Sequence, residues 1–429
     1  MHFPLDANPP LPVISWQENG QPCQAHWRSE NGSPPPRQVV IADDNTTADA
    51  AYRLACAGSA LLWRGDYHNA RQLLQALARR IERQGQRKTA AAIPSAHGYG
   101  MALTLNDERL PCPLPSPPAP LPQGEGRFDS RSRDFLANEA FNRHRQTQGQ
   151  RARILGMLLL PLAADFTIPL RRAPDLRQAC LEAYGPATGP SVVSLRELQG
   201  LVGAHEWRKK GVEVPALGAR IHPYYGVFSP LRGEYVDLVA QAPLPAGATQ
   251  IAFDIGTGSG VLAAVLAQRG CRHIIGTDQD PRALNCARAN IDRLGLTEQV
   301  EIIEADLFPA GCAPLVVCNP PWLPARPSSA IEYAIYDPDS RMLRGFLNGL
   351  AAHLSPGGEG WLILSDFAEH LGLRSRSELL DWIATAGLQV LGQLDIRPRH
   401  PKAGDSTDPL YLARAAEVTT LWRLTALAI

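Results

Sequence analysis

The chain has 429 residues, 45% of them hydrophobic, which predicts two or three domains with real cores. Its 42 Lys and Arg balance 42 Asp and Glu, so bulk charge does not drive nucleic-acid binding, and eight scattered cysteines without a Cys-x-x-Cys pair exclude a zinc ribbon or a dithiol redox motif. The first residues, Met1-His2-Phe3-Pro4, carry no basic or apolar leader, and the longest apolar stretch, around 155–160, is too short to span a bilayer. A cytoplasmic location, reduced thiols and no membrane partner are therefore expected.

Residues 1–45 are rich in Pro, Asn, Gly and Gln, contain Pro34-Pro35-Pro36, and read as a loosely ordered lead-in. From Thr47 to Arg83, Ala48, Ala51, Leu54, Ala55, Leu61, Leu62, Leu73, Leu74, Leu77 and Ile81 recur at helical spacing. Gly65-Asp66 breaks the stripe, so 46–110 is expected to be a helical domain begun by a helix hairpin. The run 111–122 favours polyproline II and sets a Pro-rich linker at 111–126. Residues 127–217 read as mainly helical, with a turn at 185–189, and are the natural place for substrate recognition.

From about 248 the pattern changes. Strand-like runs at 250–255, 273–277, 300–304, 315–319, 360–365, 390–396 and 418–425 alternate with helical stretches at 260–268, 281–294, 341–353 and 377–386. Alternation of this kind predicts an α/β, doubly wound Rossmann-like sheet with an antiparallel edge.

The first strand runs into Asp254-Ile255-Gly256-Thr257-Gly258-Ser259-Gly260, which opens a helix. Glycines there permit a tight turn and close approach of a ligand to the helix N–H groups. A dinucleotide fingerprint would place its last glycine at 261, where the chain has Val261, and this disfavours a nicotinamide-linked oxidoreductase. Asp278 ends the next strand and suits a ribose diol; Asp306 follows the third. Three acids at the carboxyl ends of successive strands mark the edge where such sheets bind ligands.

Asn319-Pro320-Pro321-Trp322 directly follows the apolar run Leu315-Val316-Val317-Cys318. The prolines end strand pairing. The Asn319 side-chain oxygen and the Pro320 carbonyl then stand as two acceptors for one amino or amide group, while the face of Trp322 suits a flat substrate. Such a site positions a planar nitrogen as nucleophile and needs no strong base. No metal-ligand spacing accompanies it.

These motifs, across roughly 218–427, resemble the N-methyltransferase branch of class I S-adenosylmethionine-dependent enzymes. Within it, the chain is similar to the "methyltransferase small" and release-factor glutamine methyltransferase-like group. The resemblance implies a seven-stranded methyltransferase domain at 218–429 with S-adenosyl-L-methionine as cofactor. It places Phe228 and Ser229, in Tyr225-Gly226-Val227-Phe228-Ser229-Pro230, near the cofactor. Asp254 and Gly256 would lie near its methionyl part, Asp278 at the ribose and Asp306 at the adenine, with Thr257, Gly258, Gly260, Gln279 and Leu307 also in the cofactor site. Asn319, Pro320, Pro321 and Trp322 would form the catalytic motif, with Asn319 also beside the cofactor. The implied acceptor is an exocyclic amine of a nucleobase in ribosomal RNA, or a glutamine of a translation-related protein. Trp322 stands where the glutamine enzymes usually carry Tyr. The alternative is a non-catalytic module that binds RNA or a partner protein on the same fold. The basic stretch 397–402 is either a solvated loop or a surface for RNA or an acidic partner.

Overall fold

The computed structural model describes residues 11–91, 130–230, 233–327, 330–399 and 405–427. The Pro-rich run 111–122 and the second half of the basic stretch, 400–402, lie outside them.

The first half is organised by a six-stranded mixed sheet that the sequence reading did not anticipate. Its elements are β1 (Val13–Glu18), β2 (Gln21–Arg28), β3 (Gln38–Ala42), α1 (Ala48–Cys56), β4 (Ser59–Trp63), α2 (Tyr67–Ala91), α3 (Ser130–Leu155), β5 (Leu158–Leu162), α4 (Arg177–Tyr184), β6 (Ser191–Ser194) and α5 (Leu195–Lys210). The strand order is β1-β2-β6-β5-β4-β3.

Residues 13–42 are thus three strands rather than a loose lead-in. β1 and β2 form a hairpin turned by Asn19 (φ 52°) and Gly20 (φ 74°). Positive φ at both central residues is what a tight hairpin turn of this hand requires, and Asn-Gly supplies it at low cost. The expected helix hairpin at 47–83 is two helices with β4 between them. Leu61 and Leu62 belong to that strand, whose five residues are all buried. A short run buried on both faces has no alternation, so its period cannot separate strand from helix. The same holds for β5 in the apolar stretch near 155–160. Thr47 accepts from Ala50 N–H and caps α1.

In the second half, β7 (Val212–Val214) and β8 (Ala219–Ile221) form a small ribbon. The expected boundary at 217/218 falls inside it. There follow α6 (Glu234–Gln241), β9 (Ile251–Ile255), α7 (Val261–Gln268), β10 (His273–Asp278), α8 (Pro281–Arg293), β11 (Val300–Glu304), β12 (Ala313–Cys318), α9 (Arg341–His353), β13 (Leu354–Ser365), α10 (Phe367–His370), α11 (Arg376–Thr385), β14 (Leu388–Ile396), α12 (Tyr411–Ala416) and β15 (Thr419–Ala426). The sheet order is β11-β10-β9-β12-β13-β15-β14.

β15 is antiparallel to both its neighbours, while the pairs among β9 to β13 are parallel. The reversed strand therefore sits one place in from the edge, between β13 and β14, rather than at the edge itself. Both faces of the sheet are covered. Ala252, Val317 and Trp361 pack with α6, α7 and α8, and Phe253, Val316 and Leu362 pack with α9 and α11. α7 is buried from Val261 to Ala267, which explains its apolar composition on all sides. The order reverses between β9 and β12, and a crevice opens there at the strands' carboxyl ends.

Candidate active site

The glycine loop leaves β9 with three left-handed residues in alternation: Gly256 (φ 70°), Gly258 (φ 54°) and Gly260 (φ 81°). They do two different jobs. A Cβ on Gly256 would come within 2.5 Å of Met342 Cε, and one on Gly260 within 3.3 Å of Ala287 Cα. On Gly258 the nearest atom would be 3.9 Å away. The space above Gly258 is therefore open, while Gly256 and Gly260 are needed for packing.

Asp254 buckles this loop to α7. Its Oδ2 accepts from Thr257 Oγ1 at 2.7 Å and from Ala263 N at 3.0 Å. The residue is 1% exposed. Burial pushes its carboxyl up to about 6, against the pull of those two hydrogen bonds, and the nearby Asp278 charge adds to the rise. Expected beside a ligand, Asp254 stands instead behind the cavity wall, as a brace.

Asp278 faces the cavity. It accepts from Gly258 N–H at 3.0 Å on Oδ2 and from Asp280 N–H at 3.0 Å on Oδ1. Each carboxylate oxygen keeps a further lone pair, enough for the two hydroxyls of a ribose. Burial raises its pKa above the usual carboxylate range, opposed by the backbone N–H groups of Asp280 and Gly258. Leu307 holds a left-handed φ of 75°, a conformation that costs a non-glycine residue about 1–3 kcal/mol. Thr277 Oγ1 donates to its carbonyl at 2.5 Å and holds it there.

At the end of β12, Trp322 Nε1–H donates to Asn319 Oδ1 at 2.9 Å. A cavity of about 590 Å³ gathers these groups. Phe228, Gly256, Thr257, Gly258, Asp278, Gln279, Asp306, Leu307, Asn319, Pro320, Pro321 and Trp322 all line it. Ser229, Asp254 and Gly260 do not. The volume suits a nucleoside-sized ligand with room for an acceptor group. Open space over Gly258 and spare acceptors on Asp278 fit the adenosine part of S-adenosylmethionine.

The sequence reading missed the opposite wall. Phe141 and His144 of α3, Tyr333 and Tyr336 of the loop after Trp322, Phe367, Leu410, Arg414 and Glu417 also line the cavity. Phe367 and Glu417 follow β13 and precede β15 at the same sheet edge, a placement the strand pattern held in principle. α3 carries no local signal of its role. Tyr333, which lines the cavity, is 69% exposed and leaves apolar surface at the opening. His222 is structural: its Nδ1 lies 2.7 Å from the Arg208 carbonyl, and Arg208 stacks on Tyr224 rather than on solvent.

Sheet order, the glycine loop and the Asn-Pro-Pro-Trp edge give the seven-stranded part of the chain, β9 to β15, a Rossmann-like fold of the class I methyltransferase type. Comparison with known proteins narrows the resemblance. Residues 244–320, from just before β9 to the second residue of the tetrapeptide, match the family model "Ribosomal protein L11 methyltransferase (PrmA)". The chain is 29% identical over 177 residues to a release factor glutamine methyltransferase of Gloeobacter violaceus, covering 38% of this chain and 59% of that protein. It is 28% identical over 147 residues to a ribosomal protein L11 methyltransferase of Dechloromonas aromatica, covering 32% and 43%. The chain thus spans less than two-thirds of the length of these relatives. A solved ribosomal protein L11 methylase from Lactobacillus delbrueckii subsp. bulgaricus aligns at 16% identity and a TM-score of 0.33, over 48% of this chain and 86% of its own.

Proposed function

We propose that this protein is an S-adenosylmethionine-dependent N-methyltransferase whose acceptor is a planar nitrogen, a side-chain amide, on a protein. The observation that carries this is Asn319. Its amide oxygen, oriented by Trp322, lies in the same cavity as the glycine loop and Asp278. S-adenosylmethionine, when bound, supplies an electrophilic methyl group. Gly256 to Gly258, Asp278, Asp306 and Leu307 would hold it.

Asn319 Oδ1 and the Pro320 carbonyl would take the two N–H bonds of the acceptor, fixing its lone pair toward the cleft. Holding the nucleophile in one orientation is where the rate gain arises. Protein is favoured over RNA because, among the described residues, the cavity is lined by exposed Tyr333 and Ile335 (38% exposed) and by no ring of cations. Arg414 there pairs with Asp408 at 2.7 Å. The relatives named for a release factor and for ribosomal protein L11 support the same choice. A cytoplasmic setting belongs to this proposal; among the described residues no helix is long and apolar enough to cross a membrane.

The test is incubation with tritiated S-adenosylmethionine and cell extract, followed by protease or ribonuclease. Protease-sensitive label is expected. Ribonuclease-sensitive label would move the acceptor to RNA. S-adenosylhomocysteine binding with no incorporation into either would make the chain a binding module.

A further inference from the structure

Helix α3 belongs to the first half of the chain, yet one face of it docks on the acceptor side of the cavity. Asn138, Phe141 and Arg145 stand at i, i+3 and i+7, a spacing that puts them on a common face. Each meets a different part of the second half. Asn138 Nδ2–H donates to the Gly372 carbonyl at 3.3 Å, just past α10. Phe141, 3% exposed, packs in a cluster with Leu323, Phe367 and Leu410. Arg145 Nη2–H donates to the Arg326 carbonyl at 2.5 Å. Its guanidinium carbon lies 4.5 Å from the Tyr336 ring centroid and 5.9 Å from that of Phe141.

The loop that Arg145 holds begins at Leu323, immediately after Trp322. The loop closes on itself through Leu323 N–H to Ile335 O at 3.2 Å and Asp337 N–H to Leu323 O at 2.8 Å. Phe141 and Tyr336 both face the cavity, so Arg145 stands behind the wall they make. A planar cation that stacks on a phenol while donating to a carbonyl does what an ammonium cannot. None of these three contacts falls on the glycine loop, Asp278 or Asp306.

We infer that α3 forms the acceptor-side wall of the active site, with Phe141 as a specificity-determining residue and Arg145 as a positioning residue for the loop after Trp322. The two halves then share one site, the second holding the cofactor and the first selecting the acceptor. This rests on the methyltransferase proposal above for the word acceptor, though not for the geometry.

The test uses the full chain with Arg145→Ala, Arg145→Lys and Phe141→Ala. Hydrogen–deuterium exchange needs no acceptor. Arg145→Ala should speed amide exchange at 323–327 and 333–337 by about fivefold or more, with β12 unchanged. Calorimetry should find S-adenosylhomocysteine affinity within about twofold of wild type. With tritiated S-adenosylmethionine and graded extract protein as acceptor, Arg145→Ala and Phe141→Ala should raise the apparent KM about tenfold and leave kcat within about threefold. Arg145→Lys should recover less than half of that loss. An unchanged KM, or S-adenosylhomocysteine affinity that falls with it, overturns the inference. If wild type transfers nothing to extract, the methyltransferase proposal fails. The exchange experiment then decides alone: faster exchange at 323–327 supports the wall, and unaltered exchange overturns it.

Discussion

The indole N–H of Trp322 donates to the side-chain oxygen of Asn319 across 2.9 Å. An indole nitrogen has only a proton to give, so its partner in the amide is the oxygen, and the amide's orientation is set. One lone pair of Oδ1 is used and the other stays available. The indole thus serves its neighbour as a clamp, a role distinct from stacking on a substrate. This also gives a physical reason for an aromatic donor three residues after the asparagine.

Asn319→Ala should lower kcat by about 10² to 10³ and leave S-adenosylhomocysteine affinity within about threefold, because it removes an acceptor needed by the reacting nitrogen. Trp322→Phe keeps the ring and loses only the clamp, so a smaller fall of about tenfold is expected. Steady-state kinetics with calorimetry checks both. Turnover that survives Asn319→Ala sinks the mechanism.

Asp278→Asn should weaken S-adenosylhomocysteine binding by about 10- to 100-fold, the worth of hydrogen bonds to a charged group. Donor hydroxyls favour the ionised carboxylate, and burial holds its pKa above the ordinary range. Affinity should therefore be full above that raised pKa and fall as pH drops through it. Asp278→Asn should lack this dependence. Parallel pH profiles for the two proteins would contradict it.

Asp254 makes a stability prediction of the opposite sense to a salt-bridged carboxylate. Its folded pKa is about 6 against an ordinary 3.8. The folded state holds the proton more tightly, so its favourable contribution is complete below the ordinary value and is lost as pH rises through about 6. The span is about 3 kcal/mol. Measured against Asp254→Asn, which keeps one oxygen for Thr257 and Ala263, wild-type Tm should decline between about pH 4 and 7 and level off above. Asp254→Ala should lose about 2–4 kcal/mol at every pH by stranding two buried donors. A flat difference between wild type and Asp254→Asn would refute the pKa.

Gly258→Ala and Gly260→Ala should part company. At 258 the added methyl meets open space where the ligand would lie. It should lower S-adenosylhomocysteine affinity by about tenfold or more while costing about 1 kcal/mol of stability for the left-handed backbone. At 260 the methyl presses on Ala287 backbone, so lost stability should dominate, by roughly 1–3 kcal/mol. Thermal melts beside calorimetry separate the two. Equal effects of both substitutions on binding would contradict an open cradle at 258.

Much of the second half was legible in sequence because its signals are local. Strands and helices of ordinary length alternate, and Asp254, Asp278, Asp306 and Asn319 each lie at or just past the carboxyl end of a strand. Any parallel sheet brings such ends to one edge. The first half was less legible. β4 and β5 are short and buried on both faces, so they lack the period-two pattern that marks a strand. Asn19-Gly20 was a usable hairpin signal, hidden in a stretch whose Pro and Gly content looked unstructured. Asp254 was assigned to the ligand by adjacency, and only its hydrogen bonds to Thr257 and Ala263 turned it into a brace.

By itself, the sequence determined the α/β class of the second half and the places of the glycine loop and of the Asn-Pro-Pro-Trp tetrapeptide at the strand ends. Those follow from hydrophobic period and from residues adjacent in the chain. Tertiary structure alone decided that Trp322 clamps Asn319 and that α3 closes the acceptor side. Arg145 and Arg326 are 181 residues apart. Their meeting depends on how the two halves of the chain present a loop and one helix face to each other, and no local spacing encodes that.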